Sequence, residues 1–451
     1  MPKYFGTDGI RGIPFDFPLE PEFIKKIGYS IAKKLKKSRK SVFIARDTRE
    51  SGEKITDLLA QGIVKHSIDV IDLGVITTPS FSYILSKNNV SFGIMVSASH
   101  NPPEFNGIKV LNHKGEKISE ETEEEIEKII DTTKNLDYGK ANIKKLDLMG
   151  LYIDYVHSLF NGILKDKKIV VDCSNGASYK IAPEIFKKTS ARFYLIGDKP
   201  NGKNINVGCG ALETNKMREM VKEKNAFCGI SYDGDSDRCI ISDENGNIID
   251  GDDVISFLSV CYKKNNLLNN NTVVLTHMSN YGVFEFLKTN GIKVLSVDVG
   301  DRNVSHTMDR NKAVIGGEPS GHIIIKKYLP TGDGIITSLE FLSCVIKSGI
   351  KVSDVKKIWR RFPSNLRSYR VSSKPDIKAL KGFDKKIKEI EKEINGRIFI
   401  RYSGTEPVIR ILIEADKDLD YLNKLSEEIF SFYLNLTQKS LSNKGSLKNS
   451  I

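Results

Sequence analysis

Residues 93–109, GIMVSASHNPPEFNGIK, hold the side chains best suited to nucleophilic chemistry in this sequence. A short apolar run ends in small hydroxyl residues, a histidine and two prolines, which suit a stiff loop better than a core. Such a loop can present one oxygen at a fixed place, and Ser99 is the candidate. A serine hydroxyl is a weak nucleophile, so His100 as proton carrier and Lys109 as phosphate partner are its candidate helpers. We interpret Ser99 as a carrier of a phosphoryl group; a polar turn is the alternative if the loop stands alone.

Residues 232–238, YDGDSDR, contain three closely spaced carboxylates, those of Asp233, Asp235 and Asp237. Such neighbours raise each other's pKa unless a cation lies among them, and hard oxygen donors favour Mg²⁺ or Ca²⁺ over zinc. The spacing resembles an EF-hand, but Arg238 stands where that loop needs glycine, and the flanks have a strand pattern. A phosphatase of the haloacid dehalogenase type, with Asp233 as nucleophile, is a second alternative that would leave the serine loop without a role.

Three further stretches offer groups that bind anions and sugars. GGEPSGH at 316–322 combines a carboxylate, a hydroxyl and an imidazole, which suits hydroxyl and amine groups of a sugar. RYSGTEPVIR at 401–410 lacks the lysine of a Walker loop, but its amides, hydroxyls and arginines resemble an anion-binding nest. YFGTDGIRG at 4–12 adds the donor Arg11. The alternatives are a glycine-rich turn for GGEPSGH, a plain hairpin for RYSGTEPVIR and a tight N-terminal turn for YFGTDGIRG. The candidates in the first two stretches are Glu318, Ser320 and His322 for sugar, and Arg401, Ser403, Gly404, Thr405 and Arg410 for phosphate.

The elements that must position these loops occur three times in the sequence. Each copy has an apolar strand, a helix, a second strand, and a third strand that runs into SASHNP, YDGDSDR or GGEPSGH. A hairpin-like stretch with a glycine turn follows each third strand. Strands alternating with helices indicate parallel sheets, and ligands gather at the carboxyl ends of such strands. We therefore predict three related α/β domains whose loops face one shared cleft.

The same pattern of strands and helices predicts the domain boundaries. A break near 360–375 separates a fourth unit with a helix over 377–394 and strands at 397–400 and 408–413, and the last residues are polar and predicted to be disordered. The predicted domains are 1–150 (serine loop), 151–252 (aspartate loop), 253–365 (glycine-rich loop) and 366–436, followed by a tail over 437–451.

The amino-acid composition indicates a globular protein and argues against a membrane protein or a nucleic-acid-binding protein. The chain has 451 residues, of which 39% are hydrophobic and 28% charged, as in globular proteins of several domains. No apolar run would span a bilayer and the N-terminus does not resemble a signal peptide, so we expect no membrane partner. Six scattered cysteines predict free thiols in a reducing cytoplasm. The net charge of +12 suggests nucleic acid, but the lysines are spread over helix faces, so a solvated surface or an anionic small substrate is expected instead.

Five motifs in this order, FGTDGIRG, SASHNP, DGDSDR, GGEPSGH and SGTEP, resemble those of the α-D-phosphohexomutases. The resemblance covers about residues 4–435. It implies three α/β/α domains with mixed sheets and a smaller C-terminal α+β domain around a central cleft. It further implies that Ser99 is a phosphoserine needed for activity, and that its phosphate binds one Mg²⁺ together with the three aspartates. The sugar and phosphate contacts implied are those of the candidate residues above, and Arg11 and Arg238 join Ser99, His100 and Lys109 in the catalytic set.

The resemblance also implies a reaction. NVGCG at 206–210, MSN at 278–280 and GDR at 300–302 are similar to the glucosamine branch of the family. The expected activity is interconversion of glucosamine 6-phosphate and glucosamine 1-phosphate through a 1,6-bisphosphate, which feeds UDP-N-acetylglucosamine synthesis. Glucose or mannose phosphates are the alternative substrates, and a non-enzymatic nucleic-acid-binding protein is a remote alternative. The expected partner is a small sugar phosphate, with no nucleic acid and no membrane, and the expected assembly is a monomer or homodimer.

Overall fold

The computed structural model describes residues 3–35, 41–134, 138–403 and 406–446, with side chains up to 437 in the last range. The chain divides into two compact units. The first comprises Met1–Met278 and Gly291–Ile358, and the second comprises Ser279–Asn290 and Trp359–Ile451. Among the described residues, no helix combines the length and the apolar character that crossing a bilayer requires.

The first sheet of the larger unit carries the Ser99 loop. Its strands are β1 (Ile10–Gly12), β2 (Ser41–Arg46), β3 (Asp69–Val75), β4 (Phe92–Val96), β5 (Asn106–Asn112) and β6 (Ile143–Lys145). The order is β1-β5-β4-β2-β3-β6. Strand β2 is parallel to β3 and β4, whereas β5 is antiparallel to β4. The helices of this region are α1 (Pro21–Leu35), α2 (Gly52–Ile63), α3 (Thr78–Lys87) and α4 (Glu120–Thr132).

Strand β4 shows why helices cover both faces of this sheet. All five of its residues are buried. Phe92, Ile94 and Val96 pack in one hydrophobic core with residues of α1, α2 and α4, while Met95 packs in a second core with residues of α3. A strand buried on both faces needs a continuous apolar sequence. The run that leads to Ser99 is therefore the centre of an α/β/α layer structure.

The second and third sheets repeat this arrangement. The second has β7 (Lys168–Asp172), β8 (Arg192–Ile196), β9 (Cys228–Tyr232), β10 (Cys239–Ser242) and β11 (Ile248–Ile249), with helices α5 (Met149–Phe160), α6 (Ser178–Lys188) and α7 (Asn215–Lys224). The third has β12 (Thr272–Thr276), β13 (Lys293–Val297), β14 (Ile315–Gly317) and β15 (Ile323–Ile325), with helices α8 (Gly251–Lys264), α10 (Asp301–Asn311) and α11 (Gly334–Ser348). In both, the first strand is parallel to the second and third, and an antiparallel strand follows the third. The threefold repeat predicted from the sequence is confirmed.

The smaller unit contains one antiparallel sheet. Its strands are β16 (Ser364–Arg370), β17 (Arg397–Tyr402) and β18 (Val408–Glu414), in the order β16-β18-β17. Its helices are α9 (Tyr281–Thr289), α12 (Phe383–Ile394) and α13 (Leu419–Ser446). Isoleucines of β18 and α12 pack with Leu422 and Tyr433 of α13 in a single core.

Three features of this unit differ from the sequence-based expectations. Strand β16 lies inside the predicted break at 360–375, because an edge strand can be polar on both faces. The helix predicted over 377–394 begins only at Phe383, after Gly382 adopts a φ of 85°. Residues 437–446, which lie within the tail predicted to be disordered, belong to helix α13. Residues 447–451 lie outside the described residues.

Candidate active site

Ser99 lies just beyond the carboxyl end of β4, in the loop that joins it to β5. The residue is 1% exposed, and its φ of 52° is in the left-handed region that residues other than glycine rarely adopt. Its Oγ donates a hydrogen bond to Oδ2 of Asp233 at 2.5 Å, and Nδ1 of His100 is 3.5 Å from Oγ. Two loops predicted to meet are therefore in direct contact, although 134 positions separate these residues in the chain.

The aspartate loop joins β9 to β10, so strands flank it on both sides and the EF-hand alternative is excluded. All three carboxylates are buried, and one ligand atom from each lies within 4.8 Å of the other two. Oδ2 of Asp235 accepts hydrogen bonds from Lys109 Nζ at 2.7 Å and from Thr78 Oγ1 at 2.6 Å. Oδ1 of Asp235 and Oδ1 of Asp237 have no hydrogen-bond partner among the described residues. Buried, unpartnered carboxylate oxygens fit a hard metal cation.

The pKa shifts of the aspartates also support a cation site in this loop. Burial and the charges of Asp237 and Asp235 raise the pKa of Asp233 well above its ordinary value. Burial also opposes the ionisation of Asp235, but the Lys109 ammonium and the hydrogen bonds from Lys109 and Thr78 lower its pKa to about 2. The protein partners of Asp235 thus stabilise its charge, whereas the charge of Asp233 is not, on balance, stabilised by its neighbours, and a cation beside it would take the place of the proton.

The pKa of Lys109 is raised, whereas that of His100 is lowered. Lys109 is 2% exposed, and its Nζ lies 2.7 Å from Asp235, 3.0 Å from Asp8 and 3.6 Å from Asp237. Burial alone would lower the pKa of Lys109, but these carboxylates raise it well above its ordinary value. Burial and the charges of Arg238 and Arg11 lower the pKa of His100 to about 4. At neutral pH the lysine is a fixed cation and the histidine is a neutral imidazole.

A cavity of about 330 Å³ lies beside these residues. Loops of all three sheets line it, and its lining includes six of the predicted site residues: Arg11, His100, Asp237, Arg238, Glu318 and His322. Its size is within the range of small-molecule pockets. The third-sheet loop is held by hydrogen bonds from Gly300 N to Glu318 at 2.9 Å and from Ser320 Oγ to Glu318 at 3.1 Å. Neither ring nitrogen of His322, which is buried, has a hydrogen-bond partner among the described residues.

The predicted phosphate nest lies in the smaller unit, at the turn between β17 and β18. Arg401 and Arg410 are direct partners across these strands, an arrangement of like charges that is unfavourable by itself. Arg410 pairs with Glu406 at 3.0 Å. Ser403 is buried, and its Oγ accepts a hydrogen bond from Glu406 N. Gly404 and Thr405 lie outside the described residues.

Several residues of the larger unit that contact the site were missed by the sequence analysis, among them Asp8, Asn206 and Arg49. Asp8 pairs with Arg11, Lys109 and Lys117. Asn206 donates from Nδ2 to the carbonyls of Ser99 and Asn101 at 3.0 Å each. Arg49 donates to several carbonyls of the Ser99 loop. Asp8 and Arg49 could have been predicted as site residues, because both lie in polar stretches next to strands, FGTDGIRG and ARDTRESG.

Family models match almost the whole chain. They describe phosphoglucomutase/phosphomannomutase alpha/beta/alpha domain I at residues 2–137, domain II at 151–246, domain III at 250–362 and the C-terminal domain at 366–431. The chain is 40% identical over 447 residues to a phosphoglucosamine mutase of Bdellovibrio bacteriovorus, covering 95% of this chain and 98% of that one. It is 39% identical over 442 residues to a phosphoglucosamine mutase of Acetivibrio thermocellus, with 95% and 98% covered.

Solved structures share the fold. A phosphoglucomutase/phosphomannomutase family protein of Burkholderia thailandensis matches with a TM-score of 0.79 at 20% identity, covering 97% of this chain and 98% of that one. An N-acetylphosphoglucosamine mutase of Aspergillus fumigatus, in complex with GlcNAc-6P and magnesium, matches with a TM-score of 0.65 at 16% identity, with 97% and 96% covered. At these identities the likeness concerns the fold alone.

Proposed function

The chain belongs to the phosphoglucomutase/phosphomannomutase family, and from this premise we propose that it is an isomerase that interconverts D-glucosamine 6-phosphate and α-D-glucosamine 1-phosphate. Relatives at about 40% identity over the full length are phosphoglucosamine mutases. The observation that carries the mechanism is the contact between Ser99 Oγ and the buried aspartate cluster, beside a cavity lined by loops of three sheets.

In the proposed reaction Ser99 enters each turnover as a phosphoserine. Its Oγ–P bond breaks while a bond forms between phosphorus and the free sugar hydroxyl oxygen, which gives a 1,6-bisphosphate. The hydroxyl proton passes through the neutral imidazole of His100 to Ser99 Oγ. The bisphosphate then turns over, and the other phosphate returns to Ser99 by the same steps in reverse. The Lys109 cation balances charge in a loose, charge-spread transition state, and we assign the same role to Arg11 and Arg238.

We propose that one Mg²⁺ is held by Asp233, Asp235 and Asp237 together with the phosphate on Ser99. The unpartnered carboxylate oxygens, the raised pKa of Asp233 and the all-oxygen donor set support this choice. A bound Mg²⁺ supplies neutralisation of phosphate charge.

We assign sugar recognition to Glu318, Ser320 and His322, because unpartnered nitrogens of a buried imidazole suit hydroxyl or amine groups. The non-transferring phosphate is assigned to the Arg401–Arg410 turn, including Ser403, Gly404 and Thr405. An anion between two facing arginines would offset their repulsion.

We also propose that the chain has four domains with the boundaries predicted above, that its location is cytoplasmic, which the six free thiols support, and that it is a monomer or homodimer.

The role of Ser99 is tested by mass and by substitution. The intact mass of the purified protein should show one added phosphoryl group on Ser99. Ser99→Ala should lower kcat about 10⁴-fold or more, since removing a nucleophile removes the covalent route. Ser86→Ala, in an exposed serine at the end of α3, is the matched control and should retain full activity. Full mutase activity in Ser99→Ala, assayed with Mg²⁺ present, would exclude the proposed role.

The substrate is tested separately by comparing kcat/KM on glucosamine, glucose and mannose phosphates. We expect glucosamine phosphate to give the highest value. A higher kcat/KM on glucose or mannose phosphate would replace the substrate but leave the role of Ser99 in place, because those mutases share the same five motifs.

A further inference from the structure

Arg49 is a fully buried arginine beside the Ser99 loop that has no part in the reaction described above. It follows β2, and its side chain is 0% exposed. Nη2 donates hydrogen bonds to the carbonyl oxygens of Ser99 at 3.1 Å and Asn101 at 2.8 Å. Nη1 donates to those of Phe105 at 2.9 Å and Pro102. One guanidinium therefore binds four carbonyls of a single loop.

The remaining donor of Arg49 reaches the other side of Ser99 through Asp47. Nε donates to Oδ2 of Asp47 at 3.0 Å, and the same oxygen accepts a hydrogen bond from Ser97 Oγ at 2.7 Å. Ser97 Oγ in turn accepts a hydrogen bond from the Ser99 amide at 3.0 Å. Both the amide and the carbonyl of Ser99 are thus connected to the Arg49–Asp47 pair.

Only an arginine side chain can make this set of hydrogen bonds. A guanidinium has five N–H donors in a planar fork, and all five are engaged here. A lysine could keep the charge beside Asp47, but its donors share one nitrogen and cannot reach carbonyls spread over residues 99–105. The loop needs such support because the φ of 52° at Ser99 is unfavourable for a serine.

We propose that Arg49 is the positioning residue for the phosphate-carrying serine: it sets the direction from which Ser99 Oγ meets the phosphoryl group. This inference rests on the proposed role of Ser99. Misplacement of a reacting atom by about 1 Å can cost about 10²-fold in rate. Loss of these hydrogen bonds should therefore slow transfer to and from Ser99 without weakening substrate binding, since Arg49 is not among the residues that line the cavity.

The direct test is Arg49→Lys, with Arg46→Lys as matched control. Arg46 lies on β2 and pairs with a carboxylate, Asp72 at 2.7 Å, but its pair lies outside the Ser99 loop. We expect kcat of Arg49→Lys to fall about 10- to 100-fold, with less than about threefold change in KM. Single-turnover phosphorylation of Ser99 by glucosamine 1,6-bisphosphate, followed by intact mass, should slow by the same factor. The control should match the parent enzyme in each measurement.

A second variant keeps the inference testable if Arg49→Lys does not fold. Ser97→Ala leaves the Arg49–Asp47 pair in place and removes only its link to the Ser99 amide. It should slow the same single-turnover step about 3- to 10-fold. Parent-like kcat and phosphorylation rates in folded Arg49→Lys, or in Ser97→Ala when the first variant is unfolded, would overturn the inference. A parent enzyme that never gains phosphate on Ser99 would instead overturn the proposed function.

Discussion

The Ser99 loop and the turn between Arg401 and Arg410 are both assigned to phosphate groups, yet they are held differently. Ser99 is buried, and its amide and carbonyl are both hydrogen-bonded to side chains. Arg401 and Arg410 face each other from adjacent strands, and both are only half-buried. The Arg410–Glu406 ion pair joins side chains that are 32% and 59% exposed. Pairs this exposed contribute about 0–1 kcal/mol.

The difference follows from what each phosphate must do. The phosphoryl group that is transferred must meet its acceptor at one angle and distance, so its carrier needs a fixed backbone. The other phosphate is at C6 in one half of the proposed reaction and at C1 in the other. Donors that bind it in both orientations need freedom to adjust, which the long, half-exposed side chains of Arg401 and Arg410 provide. We therefore call the loop around Ser99 the fixed loop, and the turn that Arg401 and Arg410 flank the adjustable turn.

Among the variants that test this comparison, we expect the largest effect at Asp235, in the aspartate cluster that contacts the Ser99 loop. Asp235→Asn removes the carboxylate that accepts hydrogen bonds from Lys109 and Thr78. We expect kcat to fall about 10²- to 10³-fold, and the Mg²⁺ concentration for half-maximal activity to rise. The measurement is a Mg²⁺ titration of initial rates. Asp243→Asn, in a buried hairpin carboxylate of the same region, is the control; an unchanged titration in Asp235→Asn would argue against the metal site.

A substitution in the adjustable turn should change KM instead of kcat. Arg401→Met removes one of two facing cations, and loss of a charged hydrogen bond to phosphate should raise KM about 10- to 30-fold with less than about threefold change in kcat. Steady-state kinetics in both reaction directions measure this split. Arg367→Met is the control, because Arg367 lies on β16 of the same sheet and pairs with Glu427 at 2.6 Å. A fall in kcat at constant KM would show that this turn, too, acts on the transferred phosphate.

The smallest expected effect concerns the stability of the larger unit, which carries the Ser99 loop. Asp333 caps α11 by accepting from Ile336 N at 2.9 Å, and burial raises its pKa to about 6. The folded protein therefore binds this proton more tightly than the unfolded chain, so the contribution of Asp333 to the free energy of unfolding falls as pH rises from about 4 to about 6.

Asp333→Asn keeps a capping oxygen and removes this dependence. Relative to the parent, the variant should gain about 1–1.5 kcal/mol between pH 5 and 7.5, measured by urea unfolding at both values. An equal difference between variant and parent at the two pH values would contradict the raised pKa.

The sequence predicts the repeated architecture well because its signals are local. Each third strand is an apolar run that ends in polar residues, and this pattern specifies both the strand and the place where its loop lies. Local patterns also identify Ser99 and the three aspartates, whose spacing is unusual in itself. Arg49 could not be found this way, since four of its five partners lie 50 to 56 positions away. Strand β16 was missed because edge strands carry little apolar periodicity.

The separation of 134 positions between Ser99 and Asp233 also affects how the protein is made. A ribosome adds about 5–20 residues per second, so Asp233 follows Ser99 by roughly 7–27 s. During that interval the first sheet of the nascent chain can fold around Ser99, but its hydroxyl has neither the aspartate cluster nor the third-sheet loop beside it. The active centre is therefore completed late in synthesis, and a truncated chain that ends before Asp233 would carry Ser99 without the aspartate cluster.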